Sequence, residues 1–463
     1  IGTKNGGFVL NSTDTIYEKY VENLWNRFKI VFDYVNKKAD VYLNYNLIAE
    51  NVPVSGRVSK LEFSTGAKKG SCMWIDDVLV YEDIDKQEGY PQKPRIVSPK
   101  NGMDVGMIMY SMWREGYHFG WDRLSPYDER TPYMGYYTEG NPETADWETK
   151  WLGEHGVNFQ IYPFCGVERE ENTPIKRVTR GQALLDGFLC ARYPMDFCIM
   201  WSNPTEKTIR GLEDFADNIL PYWEENFFRN KNYKTVDNKL LVYTYNTKKI
   251  IQYLGGEENF RIALKMISDS AKKLGFNGAM ILASESLTAE ECQAYGLYQY
   301  YYSWSDSADN GTVVINKTKS LMEEGGFRGF TPSICQGFNT TPWRVGTVGF
   351  MTPQESNEML KFVSDNVDKW VEMGNTAAKL VTLTCWNEWG EGHFYSPSKL
   401  YGFEYMNAVR DKLTDFGVLN DEELPSEKSF VRMNVMYPLG REFLKIMPDQ
   451  ISNEDGDDLV LLE

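Results

Sequence analysis

Polar and apolar residues alternate through the first part of this chain. Residues 27–34 (RFKIVFDY) and 40–45 (DVYLNY) alternate polar with apolar, and 58–64 and 74–81 (WIDDVLVY) continue the series. That is the period of a strand with one buried face. Turn residues separate the runs, so an antiparallel β-sandwich is predicted over residues 1–85. Residues 86–102 (KQEGYPQKPRIVSPKNG) are rich in Pro, Lys and Gln and read as a linker. Beyond them the period changes. Continuous apolar runs at 105–113, 157–165, 197–203, 239–246, 278–286, 297–305, 329–337 and 378–386 predict strands buried on both faces. Segments at 143–155, 206–227, 258–274 and 353–373 carry helical spacing. In the last of these Met359, Leu360, Val363 and Val367 form one stripe, and 401–413 supplies a final helix.

Eight βα units predict a (β/α)8 barrel over residues 103–414. An open doubly wound sheet would need a Gly-rich phosphate loop after its first strand, where this chain has Tyr110-Ser111-Met112-Trp113. Residues 415–463 lose the period and are expected to pack on the barrel as an extension with an acidic end.

Composition narrows the function. The 463 residues are 42% hydrophobic and 14% aromatic, with 29 Tyr, 24 Phe and 13 Trp. Tyr and Trp combine a flat apolar face with a polar edge, which suits sugar rings as well as cores. A net charge of −17 argues against nucleic acid and anionic membranes and fits a neutral substrate. No apolar run approaches the roughly 20 residues needed to span a bilayer. The chain opens on Ile1 with no charged and apolar leader, so any targeting segment is already gone or never existed; the expectation is an extracytoplasmic protein (periplasmic, cell-surface or secreted) with its leader removed. Seven cysteines show no CxxC spacing, and the three histidines form no HExxH motif, so neither metal nor cofactor is expected. Oligomeric state leaves no signal.

In a barrel the chemistry gathers where strands end. Those ends offer Tyr110 and Trp113, Trp201 and Asn203, Tyr245 and Asn246, Glu285, and Trp304 in turn. The seventh strand runs into Asn339, Trp343 and Arg344. The eighth runs into Trp386, Asn387, Glu388, Trp389, Glu391 and His393. Any single aromatic there is more often core than ligand; the collective inventory of aromatic, amide and acid groups is that of a sugar site. Two Trp, two Glu and two Gly fall within residues 386–392. Paired carboxylates at a strand end are the equipment of glycosidic bond cleavage.

Residues 386–392 (WNEWGEG) and 401–405 (YGFEY) resemble the eighth-strand end of two related groups. These are the family 99 glycoside hydrolases (endo-α-mannosidases and endomannanases) and the WbsX-type proteins, which carry a glycosyltransferase label on the same barrel. Residues 337–342 (GFNTTP) resemble the WbsX loop after the seventh strand, and Trp201-Ser202-Asn203 its third-strand end. The resemblance covers residues 103–414. It departs at Ser396, where the family has an acid before proline, at Gly390, and at the shortened WSNP sequence.

The resemblance implies a retaining glycosidase in which Glu388 deprotonates the sugar 2-hydroxyl and Glu391 protonates the leaving oxygen, with carboxyls about 5–6 Å apart. The other residues named at strand ends would bind substrate. The sandwich resembles part of a jelly-roll carbohydrate-binding module. A WbsX-type glycosyltransferase and a non-catalytic carbohydrate-binding protein are the alternatives. A DxD-type motif beside a basic pocket would favour the first, and loss of either glutamate the second.

Overall fold

The computed structural model describes residues 2–4, 7–10, 14–17, 26–44, 46–64, 88–113, 120–169, 173, 175, 177–178, 181, 183–202, 204–205, 208–301, 310–343 and 347–433. The chain divides into two compact units, Ile1–Tyr90 and Pro91–Glu463.

The first unit contains two three-stranded antiparallel sheets, one of Gly2–Lys4, Gly7–Leu10 and Asp14–Tyr17, the other of Phe28–Asp33, Lys38–Leu43 and Asn46–Pro53. Alternation is plainest in the middle strand of the second, where Ala39, Val41 and Leu43 are buried and their neighbours are not. Residues 58–64, expected as a strand, form none, and Val58, Leu61 and Phe63 are exposed. The expected strand at 74–81 lies outside the described residues.

The second unit is a ring of eight parallel strands: β1 Asp104–Ile108, β2 Phe159–Phe164, β3 Asp196–Trp201, β4 Lys239–Thr244, β5 Ala279–Ala283, β6 Tyr298–Gln299, β7 Ser333–Cys335 and β8 Leu380–Thr384. Neighbours pair in parallel from β1 through β6, and β8 pairs with both β7 and β1. The seam between β6 and β7 closes through a parallel bridge of Gln299 to Phe330, with Gln299 N–H donating to Gly329 (2.9 Å) and Thr331 N–H to Gln299 (2.8 Å). A (β/α)8 barrel results, as the βα alternation predicts. The Tyr243 hydroxyl of β4 meets the Thr382 hydroxyl of β8 across the interior at 2.9 Å. In β1, Gly106 leaves room for the Phe159 ring, whose nearest atom would lie 2.1 Å from an added Cβ.

The helix Pro142–Glu154 (α1) departs from the expected amphipathic pattern, since nearly all of it is buried. Four of its charged side chains survive burial because each has a partner. Asp146 accepts from the N–H groups of Arg192 and Tyr193, Glu143 pairs with Arg432, and Lys150 pairs with Glu154. Glu154, 1% exposed in its side chain, also takes Arg95 at 3.2 Å. The stretch read as a linker is therefore bound to the barrel in its second half: Val97 N–H donates to Gly153 and Pro99 bridges Thr414. The extension after 414 packs against α1 too, with Trp151 Nε1 donating to Glu423 O at 2.9 Å. Its acidic run at 454–458 lies outside the described residues. Among the described residues no helix is long and apolar enough to cross a membrane.

Residues 91–463 expressed alone should melt cooperatively. Starting instead at residue 103 removes Arg95 and Val97 from α1 and should lower the midpoint by several degrees. Equal midpoints in differential scanning calorimetry would mean that residues 91–102 contribute nothing to the barrel.

Candidate active site

All five residues of β8 are buried, as a continuous apolar run requires. The chain then leaves the sheet and turns back on itself. Trp389 N–H donates to Asn387 O (2.9 Å), while Glu391 and Gly392 N–H both reach Glu388 O (3.2 and 2.9 Å). Glu388 and His393 form an antiparallel bridge across this turn. Gly392 takes φ +77°, and a Cβ there would stand 2.9 Å from Asn339. Only glycine meets both demands without strain. Asn339 N–H in turn donates to Glu391 O at 2.6 Å, which ties the loop after β7 to the turn.

This geometry puts Glu388 and Glu391, both half-buried, close enough to titrate as a pair. Burial raises both above the ordinary carboxylate range, Glu391 to about 7, and the charge of Glu391 raises Glu388 further. The pair therefore retains a proton near neutral pH. Glu388 Oε2 is buried and has no hydrogen-bond partner among the described residues. Tyr245, at the end of β4, lies in the field of Glu391, Glu285 and Glu388, in that order after its own burial. Cys335, at the end of β7, feels the same three acids; burial is the main cause that pushes its thiol up to about 12. Three carboxyls from the ends of β5 and β8 thus act on the same phenol and thiol, and Glu285 is the exposed member. His393 Nε2 lies 3.7 Å from Glu391, its ring stacked on Phe338, and burial holds it neutral with a pKa near 3.

The other residues named from the sequence divide sharply. Trp386, Asn387 and Trp389 are 0% exposed and point inward rather than to an open mouth. Trp386 Nε1 donates to Glu148 (2.9 Å), and Trp389 Nε1 to the Tyr137 hydroxyl (3.3 Å). Asn387 accepts from Tyr110 N–H (2.8 Å) and donates to Glu139 (2.7 Å). The expected sugar contacts of these three are corrected to support of the acid turn. Trp113 is corrected likewise: it is fully buried, stacked on Trp121 at 4.2 Å, and its Nε1 donates to Asn387 O at 2.7 Å. Trp201 faces the helices, packed on Phe215 at 5.0 Å and on Trp223 at 5.1 Å. It sits at the wrong phase of a period-two strand to reach the mouth.

Tyr110 is 9% exposed beside Asn387. Asn246 spends its left-handed φ of 54° on the turn into the helix Thr247–Leu254. Asn339 is half-buried and faces Gly392. Asn203, Trp304, Arg344 and the side chain of Trp343 lie outside the described residues.

Four supporting residues had no signal in the sequence. Arg130, 7% exposed, donates to the carbonyls of Trp389 (2.8 Å) and Gly390 (3.4 Å) from beneath the turn. Tyr137, Glu139 and Glu148 form the wall behind it. Acids and an arginine in an apparently solvated helix and loop look like surface residues, and only packing reveals otherwise.

A family model described as glycosyltransferase WbsX matches residues 310–409. That span contains β7, β8 and the acid turn, so the resemblance rests on the part of the chain that carries both glutamates. Among solved structures, the chain is similar to the family 99 endo-α-mannosidase of Bacteroides thetaiotaomicron at 14% identity, covering 72% of this chain and 95% of that one, with a TM-score of 0.43. It is similar to a glycoside hydrolase-like protein at 14% identity, with 71% and 99% covered and a TM-score of 0.49. A third is the Penicillium canescens endo-1,4-β-xylanase XylE, at 11% identity, 58% and 89% covered, TM-score 0.37. No curated protein matches this chain.

The raised carboxyls link stability to pH. Glu388, Glu391, Glu139 and Glu148 bind protons more tightly folded than unfolded, where a carboxyl titrates at about 4.3. Between pH 6.5 and 8 the folded state holds the extra protons, so stability should fall as pH rises. Each acid that keeps its proton adds a slope of up to about 1.4 kcal/mol per pH unit. The buried histidines are depressed in the fold and oppose this fall only near pH 6.5, where they titrate in the unfolded chain. Urea denaturation at pH 6.5 and 8 measures the fall, and Glu391→Gln should reduce it; a rise across that window would contradict the assignment.

Proposed function

We propose that this chain is a glycoside hydrolase that cleaves poly- or oligosaccharide bonds with retention, using Glu388 and Glu391. The observation that carries the reading is the pair itself: two carboxyls on one turn at the end of β8, sharing a raised affinity for protons, with Glu388 Oε2 buried and unpartnered among the described residues. A buried acceptor left without a donor costs stability, roughly 1–3 kcal/mol, and is retained where a ligand supplies the donor.

In the resting site the two carboxyls share a raised affinity for protons. Substrate fixes where the proton sits. A sugar 2-hydroxyl donating to Glu388 stabilises its ionised form, and a glycosidic oxygen accepting from Glu391 stabilises its protonated form. With the proton so placed, Glu388 takes the 2-hydroxyl proton as that oxygen attacks the anomeric carbon, and Glu391 gives its proton to the departing oxygen. Glu391 then takes a proton from water, whose oxygen attacks the same carbon, and Glu388 returns the proton to the sugar oxygen. Tyr245 feels Glu285 and both members of the pair, and it and Glu285 would bind hydroxyl groups of the sugar.

The description of the matched family favours a second reading, transfer of a sugar from a nucleotide donor. Release of reducing sugar from polysaccharide, assayed with and without sugar nucleotides, separates the two. Release without nucleotide supports hydrolysis; turnover only with nucleotide supports transfer.

Glu388→Gln and Glu391→Gln should each lower kcat by orders of magnitude while leaving folding nearly intact. A nitrophenyl or fluoride glycoside, which needs little proton donation, should restore much of the rate to Glu391→Gln and little to Glu388→Gln. In the wild-type protein kcat/KM should decline above pH about 7 as the pair loses its proton. Equal rescue of both variants would defeat the assignment of roles.

A further inference from the structure

Behind the acid turn, on α1 and just before it, two glutamates are buried where none of the described residues neutralises them. Glu139 is 6% exposed and Glu148 is 2% exposed. Each accepts a hydrogen bond from a side chain next to the catalytic pair. Glu148 Oε1 takes Trp386 Nε1–H at 2.9 Å, and Glu139 Oε1 takes an Asn387 Nδ2–H at 2.7 Å. The titratable groups that face them are phenols. The Tyr137 hydroxyl accepts from Asn387 (3.0 Å) and Trp389 (3.3 Å), and the Tyr162 hydroxyl donates to Gln160 at 2.6 Å. The charges elsewhere on α1 are engaged in other directions: Lys150 with Glu154 and Glu423, Glu143 with Arg432, and Asp146 with backbone N–H groups. Among the described residues no Lys, Arg or His acts on either acid.

A carboxylate in such a place would be an uncompensated buried charge, and two would also repel each other. Burial accordingly raises Glu148 to about 8, and burial with the charge of Glu148 raises Glu139 well above its ordinary value. Both acids keep their protons at neutral pH. In that state they are polar, uncharged acceptors matched to an indole and an amide.

We propose that Glu139 and Glu148 are positioning residues that work only while protonated, holding the turn of Glu388 and Glu391 in place through Trp386 and Asn387. Trp386 and Asn387 directly precede Glu388, so displacement of either moves the reacting carboxyl. Ionising both acids sets two like charges against each other in a dry wall and draws in water, and the turn loosens although each N–H still has its acceptor. A displacement of about 1 Å at a catalytic group is enough to cost on the order of a hundredfold in rate. The consequence for activity rests on the glycosidase reading; the loosening of the turn does not.

Hydrogen–deuterium exchange on the full chain tests it, read for the peptide covering residues 386–396 and corrected for the intrinsic pH dependence of exchange. In the wild-type protein, protection of this peptide should drop about tenfold or more between pH 7 and 9, while a peptide from β4 stays protected. Glu148→Gln and Glu139→Gln keep an acceptor oxygen but cannot ionise, so both should retain protection at pH 9. Unchanged protection in the wild-type protein overturns the proposal, and so does an equal loss in both variants. Should either variant misfold, the wild-type comparison of the two peptides decides alone, since loss in both at once would mean general unfolding and overturn it. With a nitrophenyl glycoside, kcat should fall over the same pH range at constant KM, and Glu148→Gln should extend the alkaline limb by about one pH unit or more. Absence of turnover in every variant would sink the glycosidase reading, while the exchange result would still decide this one.

Discussion

The hydrogen bonding of Asn387 is the constraint on which the site depends. Its side chain accepts from Tyr110 N–H (2.8 Å) and donates to Tyr110 O (3.1 Å), the Tyr137 hydroxyl and Glu139. Its backbone oxygen accepts from Trp113 Nε1. Tyr110 lies 277 positions earlier in the chain, just beyond the first strand of the ring, while Asn387 follows the last. One amide therefore joins the two ends of the barrel where they meet. Each such bond contributes about 1 kcal/mol net, but leaving the buried partners unmade would cost more. This asymmetry keeps the next residue, Glu388, where it is.

Around that anchor the electrostatics follow from burial more than from charge balance. The chain carries a net charge of −17, yet among the described residues no lysine or arginine acts on Glu139, Glu148, Glu388 or Glu391, and Arg130 spends its guanidinium on backbone carbonyls. Carboxyls in low-polarity surroundings without a cation hold their protons. Two such pairs stand back to back: Glu388 with Glu391 at the mouth, and Glu139 with Glu148 in the wall. The indole rings separate them, supplying the low-polarity medium to one pair and a hydrogen-bond donor to the other. An arrangement of this kind sacrifices stability at higher pH for acids that are protonated near neutrality.

How much of this was legible along the chain differs from element to element. The apolar runs placed β1 to β5 and β8 well, because strands buried on both faces leave an unbroken signature in the sequence. β6 and β7 are shorter than their runs, and closure there relies on the single bridge from Gln299 to Phe330. The turn of residues 386–393 stood out as chemistry since two acids beside two indoles are rare in a core. That its glycine at 392 answers a backbone at φ +77° became visible only in the structure.

Residue identity and local period thus determined the barrel and the two glutamates of its last strand. They did not determine which way the surrounding aromatics point. Trp113, Trp201, Trp386 and Trp389 look like sugar platforms in a linear reading, and all four are packed against partners far away in the chain. Past the end of a strand the two-residue period lapses, so the facing of a side chain is set by whatever donor or acceptor the tertiary structure brings to it. The same holds for α1, whose acids read as a solvated face until residues 95–97 and 419–423 cover them. Hydrogen-bond partners and burial are non-local quantities, and for this site they decided which side chains carry the raised carboxyls and which hold the turn.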